Sequence, residues 1–258
     1  MNPIAETGIE TLRQICQEAG TAILEVYETD FDVQSKRDAS PVTEADMRAH
    51  RIIVSRLQEQ FRGIPVLSEE AAEQLPYAVR RHWDTFWLVD PLDGTKEFVK
   101  RNGQFTVNIA LVEAGRPVAG FVYAPVKDLL YFTAGTKAFR AADGEVRELP
   151  CEDPAPAGVL RVVGSLSHHS LEMDEFLAEQ RQRYQEVRFV PMGSSLKLCL
   201  VAEGSADIYP RLAPTMEWDT AAAHAVANAA GRLVVRHDTG EDLTYNKENL
   251  RNPWFIVR

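Results

Sequence analysis

Trp87-Leu-Val-Asp-Pro-Leu-Asp-Gly-Thr95 is the stretch on which the reading of this chain turns. Trp87-Leu-Val89 closes an apolar run of the kind that forms a buried strand. Pro91 has no N–H to give to a ladder, so the strand is expected to end there. Gly94 permits a tight turn. Thr95 opens the polar stretch Lys96-Glu97 and stands where a helical turn would be capped. Asp90 and Asp93 are thus held close together at a strand end. Two fixed carboxylates beside exposed backbone N–H groups suit a divalent metal bound next to a phosphate.

Moving outward, Ile9, Leu12, Ile15, Cys16, Ala19, Ala22, Ile23 and Val26 recur at helical spacing and predict an amphipathic helix from about Ala5 to Tyr27. Asp38–Thr43 reads as a loop, and Thr43-Glu-Ala-Asp46 as a capping box that starts a second helix ending near Gly63. Strands are predicted at Val66–Ser68, Thr85–Val89, Phe105–Val112, Val118–Tyr123 and Leu129–Thr133, several of them divided by turn residues. The Pro- and Ala-rich segment Pro150–Gly158 is the expected linker between residues 1–150 and 151–258. Beyond it the pattern alternates. Strands are expected at Val162–Val163, Val187–Val190, Asp207–Tyr209 and Leu233–Val235, and helices at Ser170–Arg183, Ser194–Ala202 and Thr220–Ala230. That is an α/β pattern.

Composition bounds the function. The chain has 258 residues, 45% hydrophobic and 26% charged, enough for a well-buried core. A net charge of −10 and the absence of a Lys/Arg run argue against a nucleic-acid face. Cys16, Cys151 and Cys199 lie far apart and outside metal-ligand spacing, which suits a reducing compartment. The first residues show no basic or apolar signal segment, and no apolar run nears the ~20 residues of a membrane span. A cytoplasmic location is expected.

Four places carry carboxylates where a metal would be held: Glu69-Glu70 after a strand, Asp90 and Asp93, Asp219 in Glu217-Trp-Asp-Thr220, and Asp46 in its helix's first turn. Each also has an ordinary reading, as a solvated helix start, a turn former, an N-cap or a dipole partner. Their joint placement at element ends favours chemistry.

Asp90-Pro-Leu-Asp-Gly-Thr95 resembles the first signature of the inositol monophosphatase superfamily, and Trp218-Asp-Thr-Ala-Ala222 with Ala229-Ala-Gly231 resembles the second. Glu69-Glu70 matches the acidic pair that precedes them. Ser35–Asp46, Gly193-Ser-Ser-Leu-Lys197, Tyr209-Pro-Arg211 and Tyr245–Pro253 narrow the likeness to the bacterial 3′(2′),5′-bisphosphate nucleotidases of the CysQ type. The resemblance runs nearly end to end. It implies an α/β (α+β) fold, a layered αβαβα sandwich of the inositol monophosphatase and fructose-1,6-bisphosphatase type. Residues 1–150 would supply a helix pair and a mainly antiparallel sheet. Residues 151–258 would form a smaller α/β half that brings in Asp219.

The resemblance also implies a metal set. Glu69, Asp90 and the Leu92 carbonyl would hold one Mg²⁺, and Asp90, Asp93 and Asp219 a second, with Glu69 reaching a loosely bound third through water. Thr95 and Asp46 would orient and deprotonate the water, and Glu70 would support them. The N–H groups of Gly94 and Thr95 would hold the scissile phosphate. Substrate would also meet Glu69, Leu92, Asp93 and Asp219. Lys197, Arg211, Ser194 and Ser195 would take the second phosphate. Ser165, Ser167, His168 and His169 form a polar loop near the substrate. Ala223 stands where the family commonly has Gly, which leaves the width of the nucleotide pocket open. The implied activity is Mg²⁺-dependent removal of the 3′-phosphate from adenosine 3′,5′-bisphosphate, in sulfur metabolism, with a small phosphorylated nucleotide as the partner. The alternatives are an inositol monophosphatase or sugar bisphosphatase, and an inactive ligand-binding protein on the same fold. Peripheral contact with the inner membrane stays open, as does the oligomeric state.

Overall fold

The structure is a computed structural model that describes Ile4 and residues 6–29, 41–165 and 170–258. Two long helices, α1 (Glu6–Tyr27) and α2 (Pro41–Gln60), pack side by side. They lie on a seven-stranded sheet whose strands follow chain order: β1 (Val66–Ser68), β2 (Thr85–Asp93), β3 (Thr106–Glu113), β4 (Arg116–Ala124), β5 (Leu129–Ala134), β6 (Lys137–Ala142) and β7 (Glu145–Glu148). The β1–β2 pair is parallel, and every other pair in this sheet is antiparallel. Short helices α3 (Tyr77–Arg80) and α4 (Thr95–Val99) flank β2.

The remaining elements are β8 (Val159–Gly164), α5 (Leu171–Arg183), β9 (Glu186–Pro191), α6 (Leu196–Glu203), β10 (Tyr209–Arg211), α7 (Ala221–Ala229), β11 (Val234–Arg236) and β12 (Phe255–Val257). The β8–β9 pair is parallel, while β12 lies antiparallel between β10 and β11. A bridge between Val162 and Ile208 joins the two groups. Helix α7 packs on β3 and β4, α6 packs on α7 and β8, and α5 covers β9. The order of layers is therefore helix pair, large sheet, helix pair, small sheet, helix: the αβαβα sandwich.

Both faces of the large sheet are buried, so its strands read as continuous apolar runs. Side chains still alternate between the faces. Trp87, Val89, Val107, Ile109 and Leu111 join the core under α1 and α2. Phe86, Leu88, Ala110 and Val112 join the core under α6 and α7. Gly120 on β4 lets that second helix layer come close, since a Cβ there would lie 2.0 Å from the Ala222 carbonyl oxygen.

Three expectations need correction. Pro91 does not end its strand. β2 runs on to Asp93, and Pro91 and Leu92 fall in a bulge between the pairs Asp90–Asn108 and Asp93–Thr106, where no ladder N–H is required. Helix α2 begins at Pro41, a residue whose missing N–H suits a first helical position, so Thr43 is inside the helix and Asp46 lies in its second turn. Strands β6, β7 and β12 are absent from the expected set; β7 has all four residues exposed and so lacks an apolar pattern. The rest of the expected loop, residues 38–40, lies outside the described residues. Pro150–Gly158 connects β7 to β8.

Candidate functional site

The site grows from the end of β2. Asp90 continues the Phe86 and Leu88 face, towards α6 and α7. It is 1% exposed, and its Oδ1 accepts the Leu92 N–H at 3.1 Å, which fixes the carboxylate inside the bulge. The Leu92 side chain goes the other way, into the core under α1 and α2. Gly94 follows with φ 94°, a left-handed conformation that glycine adopts without steric cost. Gly94, not Thr95, is the cap of α4; Thr95 is that helix's first residue. The N–H groups of the first turn of a helix have no partner inside it.

Asp219 arrives from the far side of the cleft, in the turn before α7. Thr220 is the N-cap of α7, and Asp219 precedes it, with Oδ2 accepting the Met216 N–H at 2.9 Å. Asp90, Asp93 and Asp219 each bring a carboxylate oxygen within 4.8 Å of the others. Glu69 stands outside that trio, and a hydrogen bond links its carboxyl to Asp90. Glu70 is hydrogen-bonded to Asp46. The acidic pair therefore touches the trio through Glu69 and α2 through Glu70. Both residues also line a neighbouring groove of about 690 Å³ with Tyr77, Arg80 and Trp218.

Packing these carboxyls together raises their affinity for protons. Asp90 is pushed well above the ordinary range by burial and by Asp93, Glu69, Asp219 and Asp46 around it. Burial, then the charge of Asp93, lifts Asp219 to about 7. Burial, then Glu70 and Asp93, lifts Glu69 to about 7. Asp46 rises to about 9 through burial and its bond to Glu70, and its Oδ1 is buried without a hydrogen-bond partner among the described residues. Protons here stand in for missing positive charge. A hard divalent cation meets that demand, and an all-oxygen donor set fits it.

The loop before α6 closes the cleft. Ser194 Oγ donates to Asp93 Oδ2 at 2.6 Å, and the Ser195 N–H donates to the same oxygen at 2.5 Å. Lys197 is not a solvated helix lysine. It is 7% exposed, its Nζ donates to the Ser194 carbonyl and lies 5.6 Å from the centre of the Tyr209 ring. Burial lowers its pKa to about 8. Arg211 donates from Nη2 to the Pro214 carbonyl at 2.9 Å, while its Nε is buried with no hydrogen-bond partner among the described residues. Lys197, Arg211, Ser194, Ser195, Asp93, Asp219, Gly94, Thr95 and Ser165 line one cleft of about 200 Å³.

Ser167, His168 and His169 lie outside the described residues. Ala223 is fully buried in the core under α7 and does not line the cleft, so its methyl leaves the cleft's width unchanged. Sequence reading missed Thr106 and Asn108, buried polar neighbours of Ser194 and Ser195. The signal was present: two polar residues at alternate positions of an otherwise apolar strand. It also missed Phe255, which lines the cleft from the unrecognised β12.

A buried carboxylate cluster, set where a bulged strand of one sheet meets a helix start of the next layer, defines a metal-dependent phosphatase scaffold. The chain belongs to the inositol monophosphatase family, whose model matches residues 5–253. The 3′(2′),5′-bisphosphate nucleotidase CysQ of Escherichia coli (strain K12) is 49% identical over 253 residues, 95% of this chain and 98% of that protein. The crystal structure of CysQ from Bacteroides thetaiotaomicron superposes with a TM-score of 0.89 at 46% identity, over 98% of this chain and 97% of that one. An inositol monophosphatase from Zymomonas mobilis superposes with a TM-score of 0.75, over 98% of this chain and 92% of that one; at 21% identity it shows the fold alone. Among the described residues, no helix is long and apolar enough to cross a membrane.

Proposed function

We propose that this chain is a Mg²⁺-dependent 3′(2′),5′-bisphosphate nucleotidase that converts adenosine 3′,5′-bisphosphate to AMP and phosphate. The observation that carries the reading is a single cleft lined both by Asp93 and Asp219 of the carboxylate trio and by Lys197 and Arg211. Carboxylates suit the metal that meets a reacting phosphate, and the two cations suit a second anion. The likeness to CysQ proteins supports the same substrate class.

Glu69, Asp90, the Leu92 carbonyl, Asp93 and Asp219 are the donors that would hold Mg²⁺. When bound, Mg²⁺ supplies Lewis-acid polarisation of the phosphoryl group and lowers the pKa of water. Thr95 Oγ1 orients the attacking water. Asp46 would take its proton in the carboxylate form, which the charge of a bound cation favours over the proton it otherwise shares with Glu70. Gly94 and Thr95 offer their N–H groups to the scissile phosphate at the start of α4. Lys197 acts on the second phosphate as a point charge, whereas Arg211 can grip it with its fork of donors. Residues 1–150 and 151–258 act as the two arms of this cleft, the first carrying most of the metal ligands and the second Asp219 and the cations.

Arg211→Ala tests the substrate class. A charge-assisted contact is worth ~1.5–3 kcal/mol, so kcat/KM on adenosine 3′,5′-bisphosphate should fall roughly 10- to 150-fold. Turnover of a substrate with one phosphate should change little. Equal losses on both would show Arg211 to be structural and would remove the case for a second phosphate site.

A further inference from the structure

We propose that Thr106 and Asn108 are positioning residues for Asp93. They aim the Ser194 and Ser195 hydroxyls so that the loop before α6 grips one oxygen of the carboxylate and leaves the other to the metal. The proposal rests on the metal-site reading above.

Strand register places the group. Asp90 pairs with Asn108 and Asp93 with Thr106, and the alternation of β3 turns Thr106 and Asn108 to the α6 and α7 face. Thr106 is 0% exposed and Asn108 1%. Thr106 Oγ1 lies 2.5 Å from Ser194 Oγ and 2.9 Å from Ser195 Oγ. Asn108 Oδ1 accepts from Ser195 Oγ at 2.8 Å and lies 3.2 Å from Thr106 Oγ1.

Counting protons gives the chain a direction. A carboxylate and an amide oxygen only accept. The Ser194 proton goes to Asp93 Oδ2, and the Ser195 proton goes to Asn108 Oδ1. Thr106 Oγ1 has one proton and three oxygens around it, and Ser194 Oγ at 2.5 Å is nearer than Ser195 Oγ at 2.9 Å or Asn108 Oδ1 at 3.2 Å, so that proton goes to the back of the Ser194 oxygen. With Oδ2 taken by Ser194 Oγ and the Ser195 N–H, Oδ1 is the Asp93 oxygen left for a cation.

Stability alone does not account for this arrangement. Ser194 has φ 55°, a left-handed conformation unusual for a residue with a Cβ. The loop is pinned there by the Gly193 N–H, which donates to Gln104 Oε1 at 2.8 Å. Asn108 Nδ2 is buried with no hydrogen-bond partner among the described residues. Strain and an unpartnered amide next to a carboxylate cluster mark a place where function sets the geometry.

Thr106→Val keeps the side-chain shape and removes the hydroxyl, and Thr106→Ser restores it. Three quantities are read: melting temperature in EDTA, the Mg²⁺ concentration giving half the Mg²⁺-induced rise in melting temperature, and kcat and KM at saturating Mg²⁺. Partners that orient a metal ligand matter about 10- to 100-fold. Thr106→Val should raise the Mg²⁺ half-point about tenfold and lower kcat about tenfold, with KM unchanged and with melting in EDTA close to wild type. Thr106→Ser should return both quantities towards wild type. If Thr106→Val does not fold, Thr106→Ala carries the same comparison. An unchanged half-point with lowered melting in EDTA would reduce Thr106 to a packing role. A rise in KM alone would make it a substrate-site residue acting through Ser194. Rates are taken on whichever phosphomonoester the wild type hydrolyses. A wrong nucleotide assignment would therefore show in the wild-type substrate panel, and a wrong positioning role in the variant-to-wild-type ratio.

Discussion

Asp93 is held from behind by the Ser194 hydroxyl and the Ser195 N–H while it faces Asp90 and Asp219. Those two demands, grip and repulsion, predict an unusual variant. Asp93→Asn is nearly isosteric, and its Oδ1 can still accept the Ser195 N–H. It removes one negative charge from a cluster whose members already repel one another. Melting in EDTA should stay level or rise, the Mg²⁺-induced rise should shrink, and kcat should fall about 100-fold or more. Thermal melting with and without Mg²⁺, beside a phosphate-release assay, reads all three. A variant that lost EDTA stability and kept its Mg²⁺ response would contradict a metal role for Asp93. The same scale explains what sequence could show here. Asp90, Asp93 and Asp219 were legible because they stand in two stretches that resemble the family's signatures; a carboxylate at an element end is by itself ordinary. Thr106 and Asn108 stand out locally as polar residues in an apolar strand, but their role depends on register with β2, which no local pattern encodes.

At the scale of elements, β2 is the instructive case. Pro91 read as a stop because a strand interior needs its N–H groups, yet the bulge supplies the one place where it does not. The long helices and the central strands were legible from periodicity and apolar runs, since both faces of the sheet are covered. The edge strand β7 was not, because its exposed residues carry no apolar pattern, whereas Phe255-Ile-Val257 of β12 is a strand-like run that is only short. Helix α7 carries a test of this layer. Gly120→Ala would place a methyl 2.0 Å from the Ala222 carbonyl oxygen, and backbone cannot swing aside as a side chain does. Overpacking of this kind should cost about 3 kcal/mol or more. In a chain of this size that is a fall of roughly 6–12 °C in melting temperature. Because α7 follows Asp219, the Mg²⁺ half-point should rise as well. A variant as stable as wild type would show that the helix layer is not held as closely as the structure has it.

For the whole molecule, the site exists only where the layers meet: Asp90 and Asp93 come from the large sheet, Asp219 from the start of α7, and Lys197 and Arg211 from the α6–β10 region. Folding without a cation therefore forces carboxyls to keep protons that the unfolded chain would release. Asp219 and Glu69 at about 7 and Asp46 at about 9 stand above their unfolded values of 3.8, 4.5 and 3.8. A folded-state carboxyl pKa raised in this way stabilises at low pH and loses that contribution as pH rises through it. His224, lowered by burial to about 3, acts in the opposite sense only below its unfolded value of 6.5, and Lys197, lowered to about 8, opposes the fall only as pH nears 8, one group against three. Between pH 6.5 and 8, melting temperature in EDTA should therefore fall, and the rise produced by Mg²⁺ should be larger at pH 8. A melting temperature in EDTA that climbed across this window would oppose the account. The central claim is that this cleft removes the 3′-phosphate of a bisphosphate nucleotide with the help of Mg²⁺. The most direct measurement is phosphate release from adenosine 3′,5′-bisphosphate and from inositol monophosphate, in Mg²⁺ and in EDTA, with the nucleotide product identified. The account predicts AMP formed in Mg²⁺ only, with kcat/KM well above that on inositol monophosphate. Turnover undiminished in EDTA, or equal efficiency on the two substrates, would contradict it.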